Sequence, residues 1–403
     1  MQLAADTGLS AFRATVRDFI AERLPPDWAS QRRRSTYNAF KPVETMLGWT
    51  AILHEAGWSV PHWPVEHGGT GWNPMQQFVF QEELALADAP AQNVQGTHLA
   101  GPIVWMFGSD AQKALVLPGI REGRECWAQG FSEPGSGSDL ASLRTFAERR
   151  GDRYVVNGQK IWTSGAYHSH WGFFLVRTSR HDKPQQGISF LLVPMDSPGM
   201  EIRRIPQING DAHLCEVFLT DVEVPVEYLV GEPGRGWDYA KALLDLERTD
   251  SAFIYLTKRE IRRLRRMLDL EAEDGTAPRA LAPLRLRVAR AAAQAAALEW
   301  SVLRVLGGEQ QPHSMRAVAS ALKVRGAELQ QTITEIQMDI LGLKALRRFG
   351  REEIEQVDPA TDSFWHDEVP GRSFSAVYAR AATIYGGTLQ VQRSIIAKSA
   401  FGL

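Results

Sequence analysis

Between about residues 126 and 226 the apolar pattern of this chain changes its period, and that change constrains the fold more than any other feature. Before it the pattern is helical: Phe12, Val16, Phe19, Ile20 and Leu24 fall on one face, and PMQQFVFQEELALADAP (74–90) continues in strong helix formers until Pro90. The intervening GWSVPHWPVEHGGTGWN (57–73) is too rich in Gly, Pro and Trp for a regular element and predicts an ordered irregular segment. Beyond residue 126, WGFFLVRTS, GISFLLVPM, EIRRI and CEVFLTDVEVP read as strands bounded by turn residues. Asn157-Gly158, between Val155-Val156 and Ile161-Trp162, predicts a hairpin turn. From Gly236 the helical period returns in four long blocks, 237–270, 283–306, 314–341 and 373–401, joined by polar linkers such as EAEDGTAP and REEIEQVDPATD. Alanine-rich faces such as RVARAAAQAAAL suit an antiparallel bundle. The expected fold is therefore α+β and multi-domain: an N-terminal helical domain over 1–126, a middle β-barrel or sandwich over 127–232, and a C-terminal four-helix bundle over 233–403.

Composition narrows the function. At 403 residues, 44% hydrophobic and 23% charged, the chain can bury two or three cores. Its 45 basic and 47 acidic residues nearly cancel, so neither nucleic acid nor a membrane surface is indicated as a partner. Cys126 and Cys215, without CxxC spacing, make neither a zinc site nor a disulfide framework, and point to a reducing cytoplasm. MQLAADTGLSAFRATVRDF has no basic region followed by an apolar run, and no run of about 18 apolar residues occurs, so neither export nor a membrane span is expected.

Two stretches carry chemistry: WAQGFSEPGSGSD (127–139) and GQKIWTSGA (158–166). The first cannot be a P-loop, because it has no lysine at the required place and no strand–turn–helix unit around it. Taken alone it reads as a hairpin connection. The second changes that reading, since Trp162 and Ser164 offer a flat apolar ring and a hydroxyl from one strand end, a pair suited to a planar heteroaromatic ligand.

Together the two stretches resemble the paired flavin-binding signatures of the acyl-CoA dehydrogenase family. GWSVPHWPVEHGGTG, EVFLTDVEVP with GEPGRGW, and IYGGTLQVQRSIIAKSAFGL resemble further segments of that family in the same order, so the likeness spans essentially the whole chain. It implies FAD as cofactor, with Gln129, Phe131 and Ser132 lining the isoalloxazine, Gly135 and Gly137 allowing close backbone approach, and Ser138 near the pyrophosphate and the pantetheine arm. It also implies that Trp162 covers the flavin face away from substrate, Ser164 bonds the N5 region, and Thr388 and Gln390 approach the cofactor's phosphates or ribityl chain.

In this family a carboxylate removes the proton α to a CoA thioester while the β-hydrogen leaves as hydride to the flavin. So weak a carbon acid requires hydrogen bonds to the thioester oxygen and a base whose pKa is raised by burial. The resemblance offers two positions for the base. One is the C-terminal loop, where many members have glutamate and this chain has Gly386, whose backbone N–H remains able to bond the thioester oxygen. The other is LLDLERTDSA, where Glu247 stands and where Asp245 and Asp250 fall on other helix faces. Glu247 is thus the expected base; without that context it would read as an ordinary solvated helix carboxylate. Arg248 and Tyr385 are expected at the substrate.

Other features are read as structural. His168 and His170 in AYHSHWG lack a third ligand, so no metal is expected, and KREIRRLRRML (258–268) is either a solvated helix face or a binder of the CoA nucleotide phosphates. Glycine in the C-terminal loop leaves room beside the β-carbon, which favours a branched, long or ring-bearing acyl-CoA. The resemblance implies electron-transferring flavoprotein as acceptor; a non-catalytic partner subunit and an oxidase-like flavoprotein are the alternatives. Homotetrameric members complete each flavin site from a neighbour through RxxFG and Gln-x-x-Gly-Gly segments. Here TKREIRRLRRMLDLEAEDG lacks Phe-Gly, and IQMDILGLKAL has Leu343 for the second glycine. An α2β2 assembly with a related dehydrogenase subunit is therefore expected, the alternative being a homotetramer in which Arg259 or Arg262 takes over the phosphate contacts.

Overall fold

The computed structural model describes residues 7–25, 28, 43–246, 252–273, 275–308, 314–346, 369 and 371–403. It divides into two compact units that do not follow chain order. One comprises residues 42–71 and 90–247, the other 1–41, 72–89 and 248–403.

The first unit is built on an eight-stranded sheet: β1 (Trp127–Gly130), β2 (Phe146–Arg150), β3 (Arg153–Ser164), β4 (Trp171–Arg177), β5 (Ile188–Pro194), β6 (Met200–Arg204), β7 (Leu214–Pro225) and β8 (Leu229–Val230). The order is β6-β7-β3-β2-β4-β5-β8, with β1 pairing parallel to β4. The apolar runs of β4 and β5 are continuous because both faces are covered. Phe173, Leu175, Phe190 and Leu192 enter a core with Val104, Val116 and Ile120 from the helices, while Phe174, Val176, Leu191 and Val193 enter another with Val217, Val222 and Val224 of β7. The helices of this unit are α1 (Val43–Glu55), α2 (Gly101–Phe107), α3 (Asp110–Arg121) and α4 (Gly236–Leu246). A capping box fixes the start of α3: Ser109 Oγ accepts from the Gln112 N–H, and the Gln112 side chain accepts from the Ser109 N–H. The segment 57–71 is ordered and irregular apart from one 3-10 turn at Val65–His67, and buried Trp63 pins it by donating its indole N–H to the Thr97 carbonyl at 2.7 Å.

Asn157-Gly158 is not a turn. It lies inside β3, and the hairpin turns instead at Gly151-Asp152, between β2 and β3. The Asn157 amide donates to Asp221 Oδ1 (2.9 Å) and its carbonyl oxygen accepts from the Asp221 N–H (2.9 Å), so cross-strand pairing at a bulge absorbs the turn-forming residues. Gly158, at φ 152°, passes so close to Thr145 that a Cβ would lie 2.5 Å from its hydroxyl oxygen.

The second unit is helical: α5 (Thr7–Arg23), α6 (Pro74–Leu86), α7 (Ile254–Glu273), α8 (Pro278–Leu306), α9 (Met315–Leu341), α10 (Arg372–Tyr378) and α11 (Leu389–Ile396). Asn73 caps α6 in a capping box with Gln76, Pro74 occupies the first turn, and Phe78 joins the core of Leu264, Leu268, Leu298, Ile333 and Ile336. Two of the four expected blocks are interrupted. The block 237–270 yields α4 and α7, and the block 373–401 breaks after 378 into a 3-10 turn and the Tyr385–Gly387 loop, where Gly386 and Gly387 take φ values of 65° and 86°.

Candidate active site

Gln129, Phe131, Ser132, Gly137, Ser138, Trp162 and Ser164 all lie in the sheet unit. Three bonds tie their two segments together. The Ile161 N–H donates to the Ser132 carbonyl at 2.9 Å, and the Lys160 ammonium donates to the Phe131 carbonyl at 3.1 Å and to Glu133 Oε1 at 2.8 Å. Glu133 also accepts from the N–H groups of Arg144 (2.6 Å) and Thr145 (2.9 Å). Lys160 is 0% exposed. Burial pushes its pKa down to about 8, against the pull of Glu133. Burial also disfavours the Glu133 carboxylate, but the charge and hydrogen bonds of Lys160 outweigh it and hold that group below the ordinary carboxylate range. Neither residue figures among the expected site residues.

Next to this pin, Trp162 sits at φ 63°, a conformation uncommon for a bulky residue, and the residue is 56% exposed. A β-bulge between Lys160 and Thr163 produces the twist. Phe131 packs edge-on against Phe173 and Phe190. Ser136 is held by the Ser142 hydroxyl at 2.6 Å, whereas Ser138 is exposed. His170, considered above for a metal, accepts the Cys126 N–H at Nδ1 (3.0 Å), and no cluster of metal-ligating side chains occurs among the described residues.

Tyr385, Gly386, Thr388 and Gln390 lie in the helical unit. Thr388 is the N-cap of α11, its hydroxyl oxygen accepting from the Val391 N–H at 3.2 Å, and Gln390 is exposed in the first turn. Tyr385 packs against Val324, Ala327 and Leu389, and Gly386 is exposed. Glu247 and Arg248 lie outside the described residues. The basic run is not one solvated face. Lys258 pairs with Glu82 and Glu299, and Arg259 and Arg263 pair with Asp88 and Glu260, which leaves Arg262, Arg265 and Arg266 as its exposed members.

A buried lysine–glutamate pin joining a Gly/Ser loop to a strand that presents a strained, exposed tryptophan, within a helix–sheet–helix chain, is an arrangement suited to a planar cofactor. The family profiles agree: the N-terminal domain of acyl-CoA dehydrogenase matches residues 8–124, the middle domain 128–222 and the C-terminal domain 234–401. The chain belongs to the acyl-CoA dehydrogenase family, and with it to the flavin-dependent oxidoreductases that dehydrogenate acyl-CoA thioesters.

Among its relatives, acyl-CoA dehydrogenase IpdE1 of Mycobacterium tuberculosis is 36% identical over 403 residues, covering 97% of each chain. Acyl-CoA dehydrogenase FadE26 of the same organism is 34% identical, over 97% of this chain and 96% of its own. Of solved structures, the Tcur3481-Tcur3483 steroid ACAD superposes with a TM-score of 0.81 at 28% identity, over 99% of this chain and 98% of that one. The ChsE4-ChsE5 complex from Mycobacterium tuberculosis gives 0.81 at 30%, over 100% and 99%.

The residues present fit a flavin. Trp162 offers a ring face, and Thr163 Oγ1 is buried without a hydrogen-bond partner. A Cβ at Gly135 or Gly137 would meet no protein atom within 4 Å, so the fold itself does not demand glycine at either position. No helix among the described residues is long and apolar enough to cross a membrane.

Proposed function

We propose that this chain is the flavin-holding, base-carrying subunit of a two-subunit dehydrogenase that introduces a trans α,β double bond into a bulky, ring-bearing acyl-CoA, with FAD as cofactor. The observation that supports it most is Trp162, strained and exposed beside a loop pinned by Lys160. Gln129, Phe131, Ser132, Gly137, Ser138, Trp162 and Ser164 are assigned to the isoalloxazine and its linker, and Thr388 and Gln390 to the ribityl or phosphate end. When bound, the flavin supplies the hydride acceptor.

Glu247 takes the α-proton, and the Gly386 N–H holds the thioester oxygen as it gains negative charge. Arg248 and Tyr385 border the substrate. A ring-bearing acyl group is consistent with glycine at 386 and with the steroid substrate named for one structural neighbour. The proposed domain limits are those given above, 1–126, 127–232 and 233–403. Electrons pass to an electron-transferring flavoprotein, so reoxidation by that protein should be fast and by dioxygen slow.

Glu247→Gln is the direct test. The variant should retain FAD and its spectrum while kcat falls roughly a hundred- to ten-thousand-fold. Undiminished turnover would instead favour a non-catalytic subunit, a reading that the glycine at 386 keeps open.

A further inference from the structure

The α9 helix carries a buried cation that none of the roles above uses. Lys323 is 4% exposed, and its ammonium makes no hydrogen bond or ion pair among the described residues, its nitrogen keeping a little contact with solvent. Its ammonium lies 5.0 Å from the Phe253 ring centroid and 4.7 Å from that of Tyr385. Two rings offer partial compensation for lost water, but not the hydrogen bonds that three N–H donors require. Nor is the cage a relaxed one. Phe253 sits at φ 53°, in a region unfavourable to a bulky residue, and one helical turn along α9 Gly326 packs so closely on the preceding residue that a Cβ would lie 2.5 Å from the Ala252 carbonyl oxygen. Gly386, at φ 65°, completes the surroundings. A Cβ built on it would lie 3.5 Å from Lys323 Nζ, so the space that a side chain would fill at this position borders the ammonium.

We propose that Lys323 is a specificity residue that donates a hydrogen bond to an oxygen on the acyl group other than the thioester oxygen, so that the substrate is a bulky acyl-CoA bearing a ring ketone, hydroxyl or carboxylate. The inference rests on the assignment of Gly386 to the substrate. A hydrocarbon group in that space would leave a desolvated ammonium without an acceptor, whereas an acceptor oxygen satisfies it, and discrimination built on a buried polar group is steep. Burial pushes the Lys323 pKa down to about 8, so the donor is charged at neutral pH and is lost in mild alkali.

Calorimetric titration of the FAD-loaded assembly with cyclohexylpropanoyl-CoA, its ring-ketone analogue and its ring-carboxylate analogue tests this without requiring turnover. At pH 7 the two oxygenated esters should bind about tenfold or more tighter than the hydrocarbon. The carboxylate should show the greater gain if an anion is the natural group, the ketone if a neutral oxygen is. In Lys323→Met the preference should collapse to about equal affinities, with a higher melting temperature because an unpaired buried charge has gone. In the unaltered protein the carboxylate's preference should fade as pH rises through about 8, an arm that needs no variant. Equal binding of all three esters, binding of none, or a preference that survives both Lys323→Met and alkali overturns the proposal. Failure of the dehydrogenase reading has a separate signature: esters that bind with the expected preference yet never bleach the flavin.

Discussion

Lys160 shows how one residue can set the geometry of the loop proposed to hold the flavin. A lysine side chain fully removed from water is tolerated only where its charge is matched, and here Glu133 and the Phe131 carbonyl match it. The same three groups hold residues 131–133 against 160–161, immediately before Trp162. Removing the cation alone leaves Glu133 buried without its paired ammonium, at a cost of about 3–5 kcal/mol. Lys160→Met should therefore lower the melting temperature by roughly 10 °C and release the flavin, measured as the visible absorbance retained after gel filtration. Lys160→Met/Glu133→Leu should recover part of the melting temperature but not the flavin, because packing is restored and the loop geometry is not. A Lys160→Met protein with unchanged melting and full flavin content would show that the two segments are held by something else.

At the scale of elements, what was legible in the sequence depended on whether local and tertiary preferences agreed. The runs in β4 and β5 are readable because both of their faces are buried, and α5 because Val16 and Ile20 recur on one buried face. Asn157-Gly158 misleads because its pairing with Asp221 across β3 and β7 overrides a strong local turn preference. The residues proposed to face the flavin are readable as a motif, whereas Lys160 and Lys323 are not: lysine in a strand or helix reads as outward-facing, and only the packed structure shows an inward one. The same blindness hides the polar interior of the α7–α9–α10 packing. There Glu260 accepts from Arg259 and Arg263 at 2.9 Å and from the Gln337 amide at 2.7 Å, with Arg372 at 3.5 Å. Desolvation disfavours its charge, but the three guanidiniums hold it far below the ordinary carboxylate range. Glu260, Gln330, Thr334 and Gln337 border a small cavity, about the room of one water, where Gln330 is buried with neither amide atom hydrogen-bonded. Glu260→Gln should destabilise by about 3–5 kcal/mol in denaturant melts, since it removes the buried carboxylate charge that three guanidiniums share. Gln330→Met should be neutral or stabilising, since it removes two unsatisfied groups without opening a void. Equal losses for the two variants would contradict this division.

At the scale of the whole molecule, one of the two arginines that a self-sufficient assembly could use is already engaged, while Arg262 stays exposed. Arg259, the nearest substitute for a phosphate-binding arginine, is committed to Asp88 at 3.1 Å and Glu260 at 2.9 Å inside its own unit, so recruiting it would break a buried network. Just after α9, Leu343 is 84% exposed and Leu346 76%. Two large apolar side chains so close together on a surface are better suited to a protein neighbour than to water or to a phosphate. One of the structural neighbours is itself a complex of two different chains. The expected assembly is thus α2β2, with a related but unlike subunit covering Leu343 and Leu346 and supplying the phosphate-end contacts, at about one FAD per unlike pair. Expressed alone, the chain should carry little flavin and give a mass below that of a tetramer; co-expressed with the related subunit, it should acquire both. Leu343→Asp/Leu346→Asp should abolish the mixed assembly while leaving the isolated chain's melting within about 1 °C, because exposed positions contribute little to the fold itself. A stable homotetramer of this chain alone, holding one FAD per protomer with full activity, would rule the mixed assembly out.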